Sequence, residues 1–229
     1  MLKSRPLFRS DVPMRQLILD LLPESPPTLD NFVPGGNAET VTALTEWLAG
    51  GLGDTSFCLY GESGCGRSHL LQASNFGYVD AATNRSLKGV GEIAELAVDN
   101  VEALDADGQI ALFNHFNRLK MAGGRLLTAA PQPPAHLALR EDLRTRLGSG
   151  LIYRLQPLTD GEKAEAVAAQ ARERALKLTP EAINYLLRHA ARDMRTLSML
   201  VVALDQYTLE QKRPVTLPLL RELLNLENS

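Results

Sequence analysis

The sequence predicts an α/β fold in which a parallel-sheet base is followed by a small helical lid, and three observations predict it. Short apolar runs alternate with segments of helical spacing between residues 37 and 130, the pattern of parallel strands joined by helical crossovers. One of those runs passes without a break into a glycine-rich loop and then a helix. From Thr159 onward the apolar period is helical throughout.

The elements follow in order. Residues 1–13 read as an extension without structure, and Met14 is expected to be the natural start of the chain. Residues 23–27 carry three prolines, which block helix and ladder pairing, so they read as a linker. Residues 37–48 have helical spacing, with Val41, Leu44 and Leu48 on one face. A Gly-rich break at 50–54 precedes a buried strand, residues 56–60, and a helix over 67–74. Further strands are expected at 77–80, at 93–98 ending on Asp99, and at 125–130, where Pro131, Pro133 and Pro134 stop the run. A helix over 108–121 offers Ile110, Phe113 and Leu119 to a core. In the second part, 160–176 is a helix rich in Ala, Glu and Lys. Thr179-Pro180-Glu181 starts the next with a hydroxyl cap and a first-turn proline, Asp193 caps 194–210, and 217–226 closes the chain. The division is thus a flexible N-terminal segment (1–27), an α/β base (28–157) and a helical lid (158–229).

Bulk properties exclude several classes. A net charge of -3 argues against holding nucleic acid by bulk charge. Two cysteines, Cys58 and Cys65, are too few for a disulfide scaffold in 229 residues and fit a reducing compartment. The four histidines lack metal-ligand spacing, and no apolar run approaches the roughly 18 residues of a membrane helix. With no secretory signal at the start, a cytoplasmic protein without membrane contact is expected.

Two motifs carry chemistry. Gly61-x-x-Gly64-x-Gly66-Arg67-Ser68 fits the phosphate-loop pattern with Arg in place of Lys. Its glycines let the backbone fold into a nest of N–H donors around phosphate oxygens, and Ser68 offers a hydroxyl to Mg²⁺. Arg67 supplies charge, but its planar head fills a different space from an ammonium. About thirty residues on, Leu96-Ala97-Val98-Asp99-Asn100 has the form of a Walker B strand, with the Asp that holds a Mg²⁺ shell and without the Glu that often follows. Asn100 can orient a water but cannot accept its proton. Both departures describe a site that binds nucleotide and hydrolyses it poorly. Cys65 lies inside the loop, so bound nucleotide is expected to slow its alkylation.

Over residues 14–229 the chain resembles the AAA+ module of the DnaA-related family, and among its members the shorter Hda type. The features that carry the resemblance are Gln16-Leu17-x-Leu19, Phe32-Val33-Pro34-Gly35-Gly36-Asn37 and Gly66-Arg67-Ser68-His69-Leu70-Leu71. They continue with Val98-Asp99-Asn100-Val101-Glu102, Thr145-Arg146-Leu147, Leu155-Gln156-Pro157-Leu158 and Arg192-Asp193-Met194-Arg195-Thr196-Leu197. The chain departs from the family in the short connection after Ser74, in Ala129-Ala130-Pro131 where a polar sensor is usual, and in Gly148-Ser149-Gly150 after the arginine motif.

The resemblance implies a P-loop AAA+ module that regulates the start of bacterial chromosome replication negatively. Gly61, Gly64, Gly66, Arg67, Ser68, His69, Asp99 and Asn100 would hold the nucleotide, ADP rather than ATP, with Mg²⁺ at Ser68 and Asp99. Arg195 would be the sensor-2 arginine of the lid. Arg146 would be an arginine finger acting in trans on ATP held by DnaA. Gln16, Leu17, Leu19 and Leu21 resemble the family's extended peptide for the DNA-loaded β sliding clamp. No sequence-specific DNA binding is expected, because no basic C-terminal stretch follows the lid, and homo-oligomerisation is left open. Two other readings stay open: a clamp- or helicase-associated loader with weak ATPase activity of its own, for which Glu102 is the nearest acid, and a clamp adaptor whose nucleotide site is vestigial.

Overall fold

The computed structural model describes residues 26–190 and 193–225, so the expected clamp peptide with Gln16, Leu17, Leu19 and Leu21 lies outside the described residues, as does Arg192. The described residues form two compact units that meet in sequence between Leu158 and Thr159.

In the first unit five strands form one parallel sheet: β1 (Ser56–Tyr60), β2 (Gly77–Asp80), β3 (Glu95–Asp99), β4 (Arg125–Ala130) and β5 (Leu151–Arg154), in the order β2-β3-β4-β1-β5. Four helices accompany them: α1 (Ala38–Leu48), α2 (Arg67–Ala73), α3 (Ala106–Ala122) and α4 (Glu141–Gly148). Strand side chains alternate between faces. Leu96, Val98, Leu126 and Ala130 pack on one side with Leu112, Phe116 and Leu119 of α3 and Leu143 and Leu147 of α4. Phe57, Leu59, Ala97, Leu127 and Ala129 pack on the other with Leu44 and Trp47 of α1 and Leu70 and Leu71 of α2. By the same alternation Asp99 falls on the face of Ala97, the face that α2 covers. Arg125 ties the layers: its guanidinium donates to the Trp47 and Leu48 carbonyls at the end of α1, pairs with Glu95, and lies 5.7 Å from the Trp47 ring centroid.

The structure corrects three expectations in this unit. The third strand begins at Glu95 rather than 93. Ile110 is 42% exposed; on α3, which runs from Ala106, the buried stripe is Leu112, Phe116 and Leu119, with Phe113 half-buried beside it. β5 has no counterpart among the strands expected from sequence. It pairs with β1, with Leu151 and Tyr153 packed inward and Ile152 and Arg154 exposed.

The second unit is helical: α5 (Asp160–Glu173), α6 (Pro180–His189), α7 (Met194–Gln211) and α8 (Leu217–Asn225). Its core is aliphatic, built from Val167, Ala171, Ile183, Leu186, Leu197, Val201, Leu204 and Leu220 among others. Thr159 and Glu162 form a reciprocal capping box at the start of α5. Thr179 accepts from Ala182 N–H ahead of Pro180, and Asp193 accepts from Thr196 N–H, the two caps expected from sequence. α5 ends at Glu173, short of 176, and the chain then turns through Ala175 at φ +55°. Among the described residues no helix is long and apolar enough to cross a membrane.

Candidate nucleotide site

The loop after β1 is shaped by two close approaches. A side chain at Gly61 would collide with the Leu155 carbonyl, and Leu155 N–H in turn donates to Tyr60 O at 2.7 Å. Gly66 opens α2 at φ +99°, in the left-handed region, and a Cβ there would stand 2.6 Å from the Phe32 ring. The first described segment is thus packed on the loop. His69 fastens it: Nε2 lies 2.9 Å from Thr28 O and the imidazole 5.4 Å from the Phe32 ring. Asn37 fixes the exit of β5 with a two-way pair, its Nδ2 donating to Gln156 O (2.9 Å) and its Oδ1 accepting from Gln156 N–H (2.7 Å).

Arg67 carries a buried guanidinium nitrogen, Nη1, with no hydrogen-bond partner. Buried polar atoms without a partner are rare in folded proteins. A cationic donor left over beside a glycine loop suits an anion, so these residues fit a nucleotide's phosphates. Burial pushes the Cys58 thiol up to about 11, with the Thr128 hydroxyl and the Arg67 charge pulling the other way. Desolvation raises Cys65 as well, and Cys65 is only 6% exposed. A protonated, buried thiol is a poor nucleophile, so the labelling contrast expected from the sequence starts from a low basal rate.

Asp99 is 1% exposed at the end of β3. Its Oδ2 accepts from the Tyr78 hydroxyl (3.2 Å) and its Oδ1 from Asn100 N–H (2.9 Å). A carboxylate has about four lone-pair sites, so both oxygens keep capacity for a Mg²⁺ shell. Burial and the Asp99 charge hold Tyr78 at about 12, a permanent donor at neutral pH. Asn100 sits in the left-handed region (φ 52°, ψ 47°) and donates from Nδ2 to Asp80 Oδ1 at 2.8 Å. Glu102 is raised by desolvation, with the Arg67 charge lowering it and Asp99 and Asp80 raising it further. Among the described residues no group of three or more His, Cys, Asp or Glu side chains is arranged to hold a metal by itself.

The phosphate loop (Gly61, Gly64, Gly66, Arg67, Ser68, His69) and the strand end (Asp99, Asn100) thus come from α2 and β3, which pack together. Arg146 lies elsewhere in the base, in the last turn of α4, with its guanidinium 5.9 Å from the Phe113 ring and 6.0 Å from that of Phe116. Arg195 is the second residue of α7 in the lid unit, and exposed. Sequence reasoning missed Tyr78 and Asp80. The available signal was that β2 and β3 both end in Asp; only the pairing of Asp80 with Asp99 in register makes it a site.

Residues 160–224 match the family model described as the Hda lid domain. The fold as a whole is similar to domain III of the replication initiation protein DnaA from Thermotoga maritima: 22% identity, TM-score 0.68, covering 89% of this chain and 98% of that one. It is similar too to AMPPCP-bound DnaA from Aquifex aeolicus (24% identity, TM-score 0.64, 85% of this chain and 70% of that one). A RuvB variant from Thermotoga maritima shares the architecture at 16% identity (TM-score 0.62, 89% of this chain and 72% of that one). A parallel-sheet base of the fold seen in DnaA and RuvB is thus continued by a helical unit that the Hda lid model matches over residues 160–224.

Proposed function

We propose that the protein is a nucleotide-holding negative regulator of replication initiation, which binds the DNA-loaded sliding clamp and stimulates hydrolysis of DnaA-bound ATP in trans. The observation that carries this reading is the match of the lid to the Hda model on a base of the DnaA fold. The site supports a nucleotide held rather than consumed. Arg67 has a buried unpaired donor for phosphate, Ser68 and Asp99 are the residues for Mg²⁺, and position 100 carries an amide that cannot take a proton from water. The AMPPCP held by the Aquifex aeolicus DnaA is in keeping with an adenine nucleotide here, ADP on the family resemblance. In this reading Arg146 is the finger that reaches the γ-phosphate of DnaA-bound ATP, Arg195 is the sensor-2 arginine, and Gln16, Leu17, Leu19 and Leu21 bind the clamp.

The test is hydrolysis of labelled ATP preloaded on DnaA, with this protein and DNA-loaded clamp added. Wild type is expected to speed conversion to ADP. Arg146→Ala is expected to abolish the stimulation, a loss of about 10³ or more by analogy with other arginine fingers. Gln16→Ala is expected to abolish it only where the clamp is required. No stimulation by wild type refutes the reading. A second reading, a clamp- or helicase-associated loader with weak ATPase activity, has one candidate acid: Glu102, an exposed carboxylate in the turn that follows Asp99 and Asn100. It requires ATP turnover by the protein alone that Glu102→Gln removes.

A further inference from the structure

The ends of β2 and β3 hold an arrangement that neither motif explains. Asp80 and Asp99 are partners in register, and Asp80 Oδ1 accepts two hydrogen bonds at 2.8 Å, one from Ala82 N–H and one from Asn100 Nδ2. Asn100 holds a left-handed backbone, a conformation that Asn adopts more readily than most residues with a side chain. A carboxylate can only accept. The carboxamide facing Asp80 must therefore present its NH₂ there, and its oxygen is the atom left for anything else. Without such a partner the two ends of a carboxamide are close to interchangeable.

We propose that Asp80 is a positioning residue: it locks the Asn100 carboxamide so that the amide oxygen, not the nitrogen, is offered to the water shell of a Mg²⁺-nucleotide. A water held by that oxygen is oriented but keeps its proton, because an amide is not a base near neutral pH. The identity of the ligand rests on the nucleotide reading above; the lock on Asn100 does not.

The experiment uses the full chain as wild type, Asp80→Asn and Asp80→Ala. Asn at 80 keeps an oxygen that can accept both hydrogen bonds, whereas Ala keeps neither. The first readout is the side-chain ¹⁵N–¹H pair of Asn100, identified in each background by its disappearance in Asn100→Ser. The second is ADP affinity by calorimetry with and without Mg²⁺. Wild type and Asp80→Asn are expected to share a slowly exchanging amide pair and the same gain in affinity from Mg²⁺. Asp80→Ala is expected to lose both, the Mg²⁺-dependent gain falling about tenfold for one lost charge-assisted bond. An unchanged amide pair in Asp80→Ala overturns the proposal. Asp80→Asn failing as badly as Asp80→Ala overturns it too, because the charge itself would then be what is used. If wild type binds no ADP while the amide pairs behave as expected, the lock stands and the nucleotide reading falls.

Discussion

The base and the lid solve the same problem by different means. In the base α3 starts on a capping side chain, Asp105, but α1, α2 and α4 start without one, and the end of α1 is closed by Arg125 from a strand. In the lid α5, α6 and α7 each start on a capping side chain, Thr159, Thr179 and Asp193. The cores differ in the same sense: Trp47, Phe57 and Phe116 anchor the base, while the buried lid residues are aliphatic. A helix laid on a sheet has its ends and its face fixed by the layer beneath. A small bundle has no such layer and must satisfy the first amides of each helix within its own sequence. Local caps therefore carry more of the lid, and long-range packing more of the base.

Mutations can break or sharpen this contrast. The largest effect is expected for Phe57→Ala. Phe57 is fully buried and stacks on Tyr153 at 5.1 Å and against Trp47 at 5.4 Å, so truncation should cost about 3–5 kcal/mol in denaturant unfolding followed by circular dichroism. A loss near 1 kcal/mol would mean the base is not held by its core. Removing lid caps should cost less: Asp193→Ala about 1 kcal/mol, and Thr159→Ala and Thr179→Ala similar amounts, adding because the caps sit on separate helices. A cap variant as damaging as the core variant would erase the distinction.

The smallest effect is a pH slope confined to the base. His115 lies below its ordinary 6.5 because of burial and then the Arg118 charge, and Arg118 Nη2 is 3.0 Å from its Nδ1. A folded value below the unfolded one means a contribution present above pH 6.5 and lost as pH falls through the folded value. Wild type should therefore lose stability from about pH 7 towards pH 5 by a component that His115→Gln lacks. Equal slopes for the two proteins would remove His115 from the account.

The same contrast explains what was legible in the sequence. Thr179-Pro180 and Asp193 announce their helices within a few residues, and both starts are where the sequence places them. The loop from Gly61 to Ser68 and the Asp at the end of β3 are equally local. β5 escaped because four residues of half-exposed strand carry little signal until β1 pairs with them. Ile110 lies outside the core because it sits about 200° round α3 from Leu112, so a face drawn through Ile110 and Phe113 misses the stripe of Leu112, Phe116 and Leu119. For Tyr78 and Asp80 the sequence offers only two strands that both end in Asp; their roles exist once those parallel strands lie side by side in register.

That pairing also limits what position 100 can carry. A glutamate at position 100 would have to adopt φ near +52°, which Asn tolerates far better than a longer side chain, and would meet the Asp80 carboxylate where a donor now stands. Asn100→Glu therefore meets resistance from both its own backbone and its neighbour, a double constraint that neither strand shows alone.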